Sequence, residues 1–276
     1  MLTEAQFALV ARQAKRRIGL ALGPEALDLV DRRLWPLARR EGCVTSGELV
    51  SSTQARADDV LWDAIVASLI TQDTNFFRDK ATFKALAEEV IPEILRARQA
   101  HDRLKIWCAG CSSGQEPFSL AIMLEEMRNE GRGAMADILA TDLSSRLLDK
   151  AASGLYSQFE AQKGLSIHRL IENFERVGEM WRIKDRLRAA VRFEPHNLID
   201  DARAFGPFDL VLCRNVLSGF DNDDRRAALE RLAVALAEDG VLVLGQGEDA
   251  ADVTEAFHAS RGQGVFLRNA CWKRAA

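Results

Sequence analysis

Apolar positions in the first quarter of the chain follow a helical period. Phe7, Val10, Ala11, Ala14 and Ile18 fall on one face of a helix. Arg12 and Arg16 lie opposite, with Lys15 and Arg17 at the flanks. A second helix opens at Pro24, a residue suited to a first turn, and carries Leu27, Val30, Leu34 and Leu37 as its stripe. Pro36 is expected to kink or end it. Arg32, Arg33, Arg39 and Arg40 crowd its surface. Leu61, Ile65 and Leu69 mark a third helix over 58–69. No strand pattern interrupts residues 1–70, which read as an all-α N-terminal domain.

The pattern changes near residue 104. Near-continuous apolar runs at 104–109, 138–141, 191–193, 208–213 and 241–244 predict buried strands, and 116–130, 144–153 and 222–237 predict the helices between them. Strands alternating with helices give an α/β fold, a mostly parallel sheet with helices on both faces, and near-continuous apolar strands fit that burial. Residues 165–190 break the alternation. Trp181-Arg182-Ile183 and the residues before Arg188 are expected to be short antiparallel strands of a small inserted subdomain. Residues 264–272 are expected to be an antiparallel edge strand.

Composition narrows the function classes. With 37 basic and 41 acidic residues the net charge is −4, against a nucleic-acid coat, whose phosphate neutralisation needs a basic footprint. No run approaches the roughly 18 apolar residues of a membrane helix, and Glu4 stands where a secretory signal would be basic. Five cysteines at irregular spacing suggest reduced thiols in a cytoplasmic protein. Cys108-x-x-Cys111 has the spacing of a redox or zinc pair, but no second pair follows and Cys108 lies within a strand, so no metal is expected.

Ligands of open parallel sheets bind beyond the carboxyl ends of the strands. Gly110-Cys111-Ser112-Ser113-Gly114-Gln115-Glu116 follows the first strand, Asp142 the second, Asn197 and Leu198 the third, and Arg214 and Asn215 the fourth. Gly110 and Gly114 allow a tight turn and close backbone approach to a ligand, but the three-glycine dinucleotide fingerprint and the P-loop lysine are missing. Glu116 would repel a phosphate and attract an ammonium group. Asp142 is placed to accept from two ribose hydroxyls. A ribose and an ammonium without phosphate describe S-adenosylmethionine. Taken singly, the loop is an ordinary turn, Asp142 a cap for the helix at Ser144, and Asn197 turn chemistry; their order along successive strand ends gives the set its weight.

These residues resemble the CheR family of chemotaxis receptor methyltransferases over nearly the whole chain. The resemblance is carried by Thr71-Gln72-Asp73-Thr74-Asn75-Phe76-Phe77-Arg78, the loop from Ala109 to Ser119, Ala140-Thr141-Asp142-Leu143, and residues 193–198, 208–220 and 240–248. It implies a helical N-terminal domain (1–70) before a Rossmann-like class I methyltransferase domain (71–276) with a small β subdomain at 165–190. It implies methyl transfer from S-adenosylmethionine, leaving S-adenosylhomocysteine, to glutamate side chains in the cytoplasmic helical region of membrane chemoreceptors. Gln72, Thr74, Arg78, Gly110, Glu116, Asp142, Asn197, Leu198, Arg214 and Asn215 are the implied cofactor contacts. Arg78 is also the catalytic candidate, anchoring a carboxylate of the cofactor or of the incoming glutamate. Arg32, Arg33, Arg39 and Arg40 are the implied receptor-facing surface. A cytoplasmic monomer, with no nucleic-acid partner and no membrane insertion, is expected. Gly219 stands where the family has a tyrosine, Gln115 where it has a glutamate, Phe118 where it has a tyrosine, and Gln246-Gly247 where it has His-Ser. The lost tyrosine opens an alternative, a catalytically impaired cofactor-binding regulator or receptor-binding protein of the same fold.

Overall fold

The computed structural model describes residues 1–70, 73–98, 103–260, 262 and 264–273. The chain divides into two compact units, Met1–Thr71 with Ser218–Arg225, and Gln72–Leu217 with Arg226–Ala276.

The first unit holds α1 (Glu4–Ile18), α2 (Leu27–Arg40), α3 (Ser46–Arg56) and α4 (Asp59–Ser68). Thr3 and Gln6 close a capping box at the start of α1, and Gly19 ends the helix at φ 71°. Phe7, Val10, Ala14 and Ile18 are buried, as their spacing predicts. Pro36 does not end α2, which continues to Arg40. Pro36 and Arg32 are both exposed, so the carbonyl that loses its N–H partner faces water. The apolar pattern misses α3 because its buried side includes Ser46, Gly47 and Thr53 beside Leu49 and Val50; Thr53 Oγ1 is satisfied by donating to the Leu49 carbonyl at 2.7 Å. Arg17 ties α1 to α4 through Asp63 at 2.7 Å and through Asp59. The segment Ser218–Arg225 also belongs here. Leu20 and Phe220 form an isolated antiparallel bridge, Ala21 N–H donates to the Gly219 carbonyl at 2.9 Å, and Lys15 pairs with Asp221 and, at 2.6 Å, Asp224.

The second unit is built on β1 (Leu104–Ala109), β2 (Ala136–Asp142), β6 (Val191–Pro195), β7 (Phe208–Cys213) and β8 (Leu236–Leu244), with β3 (Leu155–Ser157), β4 (Phe174–Val177) and β5 (Met180–Ile183) in a separate small sheet, and with β9 (Phe257–Ala259) and β10 (Val265–Arg268). The large sheet has the order β6-β2-β1-β7-β8-β10-β9. Its first five strands are parallel, and β10 and β9 are antiparallel. The C-terminal strand is therefore not the edge; β9 is. Three residues, Phe257-His258-Ala259, are too few to show alternation. The small sheet runs β3-β5-β4. Residues before Arg188 form the short helix α11 (Asp185–Arg188), not a strand, and β5 pairs instead with Phe174–Val177 and with β3, which precedes residue 165.

The remaining helices are α5 (Lys80–Ala85), α6 (Ile91–Arg96), α7 (Gln115–Asn129), α8 (Ser145–Ser153), α9 (Gln158–Gln162), α10 (Ile167–Asn173) and α12 (Asn222–Ala235). A π-helical turn, Leu86–Val90, joins α5 to α6 and ends with Ile91 N–H on the Leu86 carbonyl. Pro92 supplies no N–H there, and the wider turn absorbs its ring. Ile106 and Cys108 of β1, Ile138 and Ala140 of β2, and Leu210 and Leu212 of β7 share one core with Phe118, Ile122 and Met127 of α7, Phe83, Leu86 and Ile91, and Tyr156, Phe174 and Ile183 of the small sheet. Trp107, Leu139, Val211 and Leu242, of opposite alternation, are also buried, so both faces of the sheet are covered. Among the described residues no helix is long and apolar enough to cross a membrane.

Candidate active site

The carboxyl ends of β1, β2, β6 and β7 deliver the rim. After β1 the chain turns through three left-handed residues, Gly110 (φ 81°), Ser112 (φ 52°) and Gly114 (φ 90°), before α7. A Cβ at Gly110 would lie 2.5 Å from Val216 Cγ2, and one at Gly114 2.8 Å from Ala151 Cβ. Both positions are thus held to glycine by packing and by their left-handed backbone. Gly110 N–H donates to the Thr141 carbonyl at 2.8 Å. The Tyr156 hydroxyl, fully buried, donates to the Ser113 carbonyl at 2.8 Å and fixes the middle of the turn. Ser113 Oγ bonds Gln115 Oε1 at 2.9 Å.

Asp142, at the end of β2, accepts from Ser112 N–H at 2.8 Å through one oxygen and from Ser144 N–H at 2.9 Å through the other. It therefore ties the glycine turn to the start of α8. Burial raises its pKa above the ordinary value, with the backbone N–H bonds opposing. Asn197 forms a turn after β6, its carbonyl accepting from Asp200 N–H at 2.8 Å, and Leu198 is buried. His196, which the apolar pattern passes over, lies with its ring edge-on to Trp107 and Phe205 at 5.7 and 4.9 Å. Desolvation lowers its pKa.

Arg214 follows the apolar strand β7, and its side chain is only 1% exposed. Its Nη1 donates to Glu116 Oε2 at 2.9 Å, and its Nη2 to the Arg78 carbonyl at 3.0 Å and to Asp79 Oδ2 at 2.5 Å. This guanidinium is engaged by protein groups. Burial raises the Glu116 pKa, with Arg214 pulling the other way. Asn215 stands at φ 60°, a conformation asparagine tolerates. Glu248 holds this turn: it accepts from the N–H of Asn215 at 2.7 Å, Gly245 at 2.8 Å and Leu217 at 3.1 Å. Glu248 and Asp79 are missed by the apolar pattern because acids in loops carry no periodic signal.

Of the contacts that the resemblance places before α5, Gln72 lies outside the described residues. Thr74 and Arg78 are half-buried, and Arg78 Nη1 donates to the Asp73 carbonyl at 2.7 Å. The Phe-Phe-Arg element turns sharply, with Phe77 at φ 48° and Asp79 at φ 59°. Phe77 N–H donates to Ser119 Oγ at 2.9 Å, and its ring lies under the Arg169 guanidinium at 3.9 Å. In the first unit, Arg32, Arg39 and Arg40 are exposed, with Arg39 over the Trp35 ring at 5.9 Å and Arg40 beside Glu41 at 3.3 Å. Arg33 is half-buried and donates to the Leu69 carbonyl, which ties α2 to the end of α4.

The rim fits a cationic nucleoside. Ser112 Oγ and Asn215 Oδ1 are buried and have no hydrogen-bond partner among the described residues, capacity that a polar ligand would use. Four carboxylates, on Asp79, Glu116, Asp142 and Glu248, outnumber the two cations on Arg78 and Arg214, so the rim is anionic. Cys108, Cys111 and Cys213 are buried, and burial pushes their thiols well above the ordinary range, leaving them protonated.

Comparison with known proteins agrees with this geometry. Residues 72–266 match the family model described as "CheR methyltransferase, SAM binding domain". The chain is 36% identical over 238 residues to chemotaxis protein methyltransferase Cher2 of Pseudomonas putida, covering 85% of this chain and 86% of that one. It is 36% identical over 248 residues to chemotaxis protein methyltransferase 1 of Pseudomonas aeruginosa, covering 88% and 90%. The chemotaxis protein methyltransferase of Salmonella typhimurium is 32% identical over 270 residues, covering 96% and 90%. A methyltransferase sheet, a rim suited to S-adenosylmethionine and matches over most of the length lead to one conclusion: this chain belongs to the CheR methyltransferase family.

Proposed function

We propose that the protein transfers the methyl group of S-adenosylmethionine to glutamate side chains of chemoreceptors, forming methyl esters. The observation that carries this reading is the anionic strand-end rim, where Glu116 and Asp142 stand at the exits of β1 and β2 within the matched family domain. When bound, the cofactor supplies an electrophilic methyl on a sulfonium. A glutamate carboxylate, with an ordinary pKa near 4.3, is already an anion at neutral pH and needs no base. The chain's task is therefore alignment and exclusion of water, and alignment alone contributes several kcal/mol. Glu116 holds the ammonium, Asp142 the ribose hydroxyls, and Arg78 a carboxylate. Asn215 Oδ1 and the Asn197–Leu198 turn complete the cradle. Strong pairing of the incoming carboxylate with a fixed cation would hold back the ground state, since only contacts stronger in the transition state raise the rate. The engagement of Arg214 by Glu116 and Asp79 supports this reading, because it removes that cation from competition. The exposed Arg32, Arg39 and Arg40 are the proposed receptor-facing surface.

Incubation with labelled cofactor and receptor cytoplasmic fragments is expected to give base-labile label on the receptor. Cofactor binding without ester on any receptor would overturn the catalytic reading. Gly219 favours a second reading, a cofactor-binding regulator. A Cβ there would meet only the tip of the Leu20 side chain, at 2.8 Å, so the first atom of a side chain at this position asks only Leu20 to move. Ester formation by the unaltered protein eliminates the regulator; ester formed only by the tyrosine variant supports it.

A further inference from the structure

Asp79 takes no part in the contacts assigned to the cofactor, yet it is bound into the site. It sits at φ 59°, a left-handed conformation that aspartate, like asparagine, tolerates. Its carboxylate and the Glu116 carboxylate grip opposite ends of one buried guanidinium, that of Arg214. The Arg78 carbonyl shares the Nη2 end with Asp79, so the fork cannot swing without losing both. One cation between two anions leaves the group with a net charge of −1.

We propose that Asp79 is a positioning residue for the cofactor's amine, acting through Arg214. It takes up part of the Arg214 charge, so that Glu116 keeps an uncompensated negative field for an ammonium group. With Arg214 paired to Glu116 alone, the pair would be neutral and an incoming ammonium would meet only a dipole. Arg214 is almost fully shielded from water, so this difference is felt more strongly than on a surface. Asp79 also fixes which guanidinium nitrogen meets Glu116. That contact uses Oε2, and Oε1 is the oxygen we assign to the ligand's amine. The proposal rests on the reading that Glu116 holds the amine.

Asp79→Asn tests it in the full-length chain, since the amide keeps an acceptor for Arg214 and removes only the charge. Titration calorimetry would use two probes: S-adenosylhomocysteine, and its desamino analogue, in which hydrogen replaces the amine and the carboxylate is kept. The expected result is a loss of about tenfold in affinity for S-adenosylhomocysteine, equivalent to about 1.4 kcal/mol, with less than about a twofold change for the desamino probe. Asp79→Glu should recover most of the loss. Equal weakening of both probes, or no weakening of either, overturns the proposal; the first outcome, with a lowered unfolding midpoint, marks a merely structural residue. Glu116→Gln, titrated in parallel, separates the two levels of the argument. An amine-specific loss in Glu116→Gln but not in Asp79→Asn sinks the role of Asp79 alone. No amine-specific loss in either sinks the assignment of Glu116 and the proposal with it.

Discussion

Tyr156 shows how one side chain sets the geometry of a turn it does not belong to. It is the single tyrosine of the chain, and nothing in its neighbourhood along the sequence marks it. In the fold it meets Phe76 edge-on at 5.0 Å and lends its hydroxyl to the Ser113 carbonyl. Burial raises its pKa well above the ordinary value, so it stays a donor throughout the working range. Tyr156→Phe leaves a buried carbonyl short of its donor and is expected to cost about 1–2 kcal/mol in urea unfolding. It should also weaken S-adenosylhomocysteine binding, because the Ser112 N–H that holds Asp142 comes from the same turn. Unchanged affinity would show that the turn keeps its shape without this bond. Residues of this kind escape a reading of the chain because their partners lie far away in sequence; Asp79 and Arg214 are another such pair.

Among the elements, the exits of β7 and β8 depend on one carboxylate. Glu248 receives three backbone N–H groups, from Asn215 and Leu217 after β7 and from Gly245 after β8. Bonds to a charged acceptor are worth about 1.5–3 kcal/mol each. Glu248→Gln replaces one oxygen by a donor that faces an N–H, so a loss of about 2–3 kcal/mol in the unfolding free energy is expected. A variant as stable as the parent would show that the turn holds itself. The strands β1 and β7 match their sequence patterns end to end, because buried parallel strands are written as near-continuous apolar runs, interrupted here only by Lys105 and Asp209 near the strand starts. Elements whose buried positions are small or polar, such as α3, or whose length is three residues, such as β3 and β9, carry no comparable signal.

For the molecule as a whole, the strand-end rim holds buried acidic groups at a cost to the fold. Burial raises the pKa of both Glu116 and Asp142 above their values of 4.5 and 3.8 in an unfolded chain. A raised folded-state value favours the protonated fold, so this contribution to stability is complete below those unfolded values and is lost as pH rises through the folded ones. Ionising these groups as pH rises costs the fold stability, and on the proposed reading a cationic nucleoside offsets that cost. The rise in unfolding midpoint given by saturating S-adenosylhomocysteine should therefore be larger at pH 7.5 than at pH 5. An equal rise at both would detach ligand binding from these carboxylates. The alternation of apolar strands with helices was enough to establish the parallel sheet, and the rule that ligands gather at strand ends was enough to collect Glu116, Asp142, Asn197 and Asn215 on one rim, since both follow from local periodicity and order along the chain. Which charges neutralise one another is not a local property. The placement of Arg214 between Asp79 and Glu116, the turn of Arg33 onto Leu69, and the filling of the space beside Gly110 by Val216 depend on distances between residues far apart in the chain, and only the folded packing sets those distances.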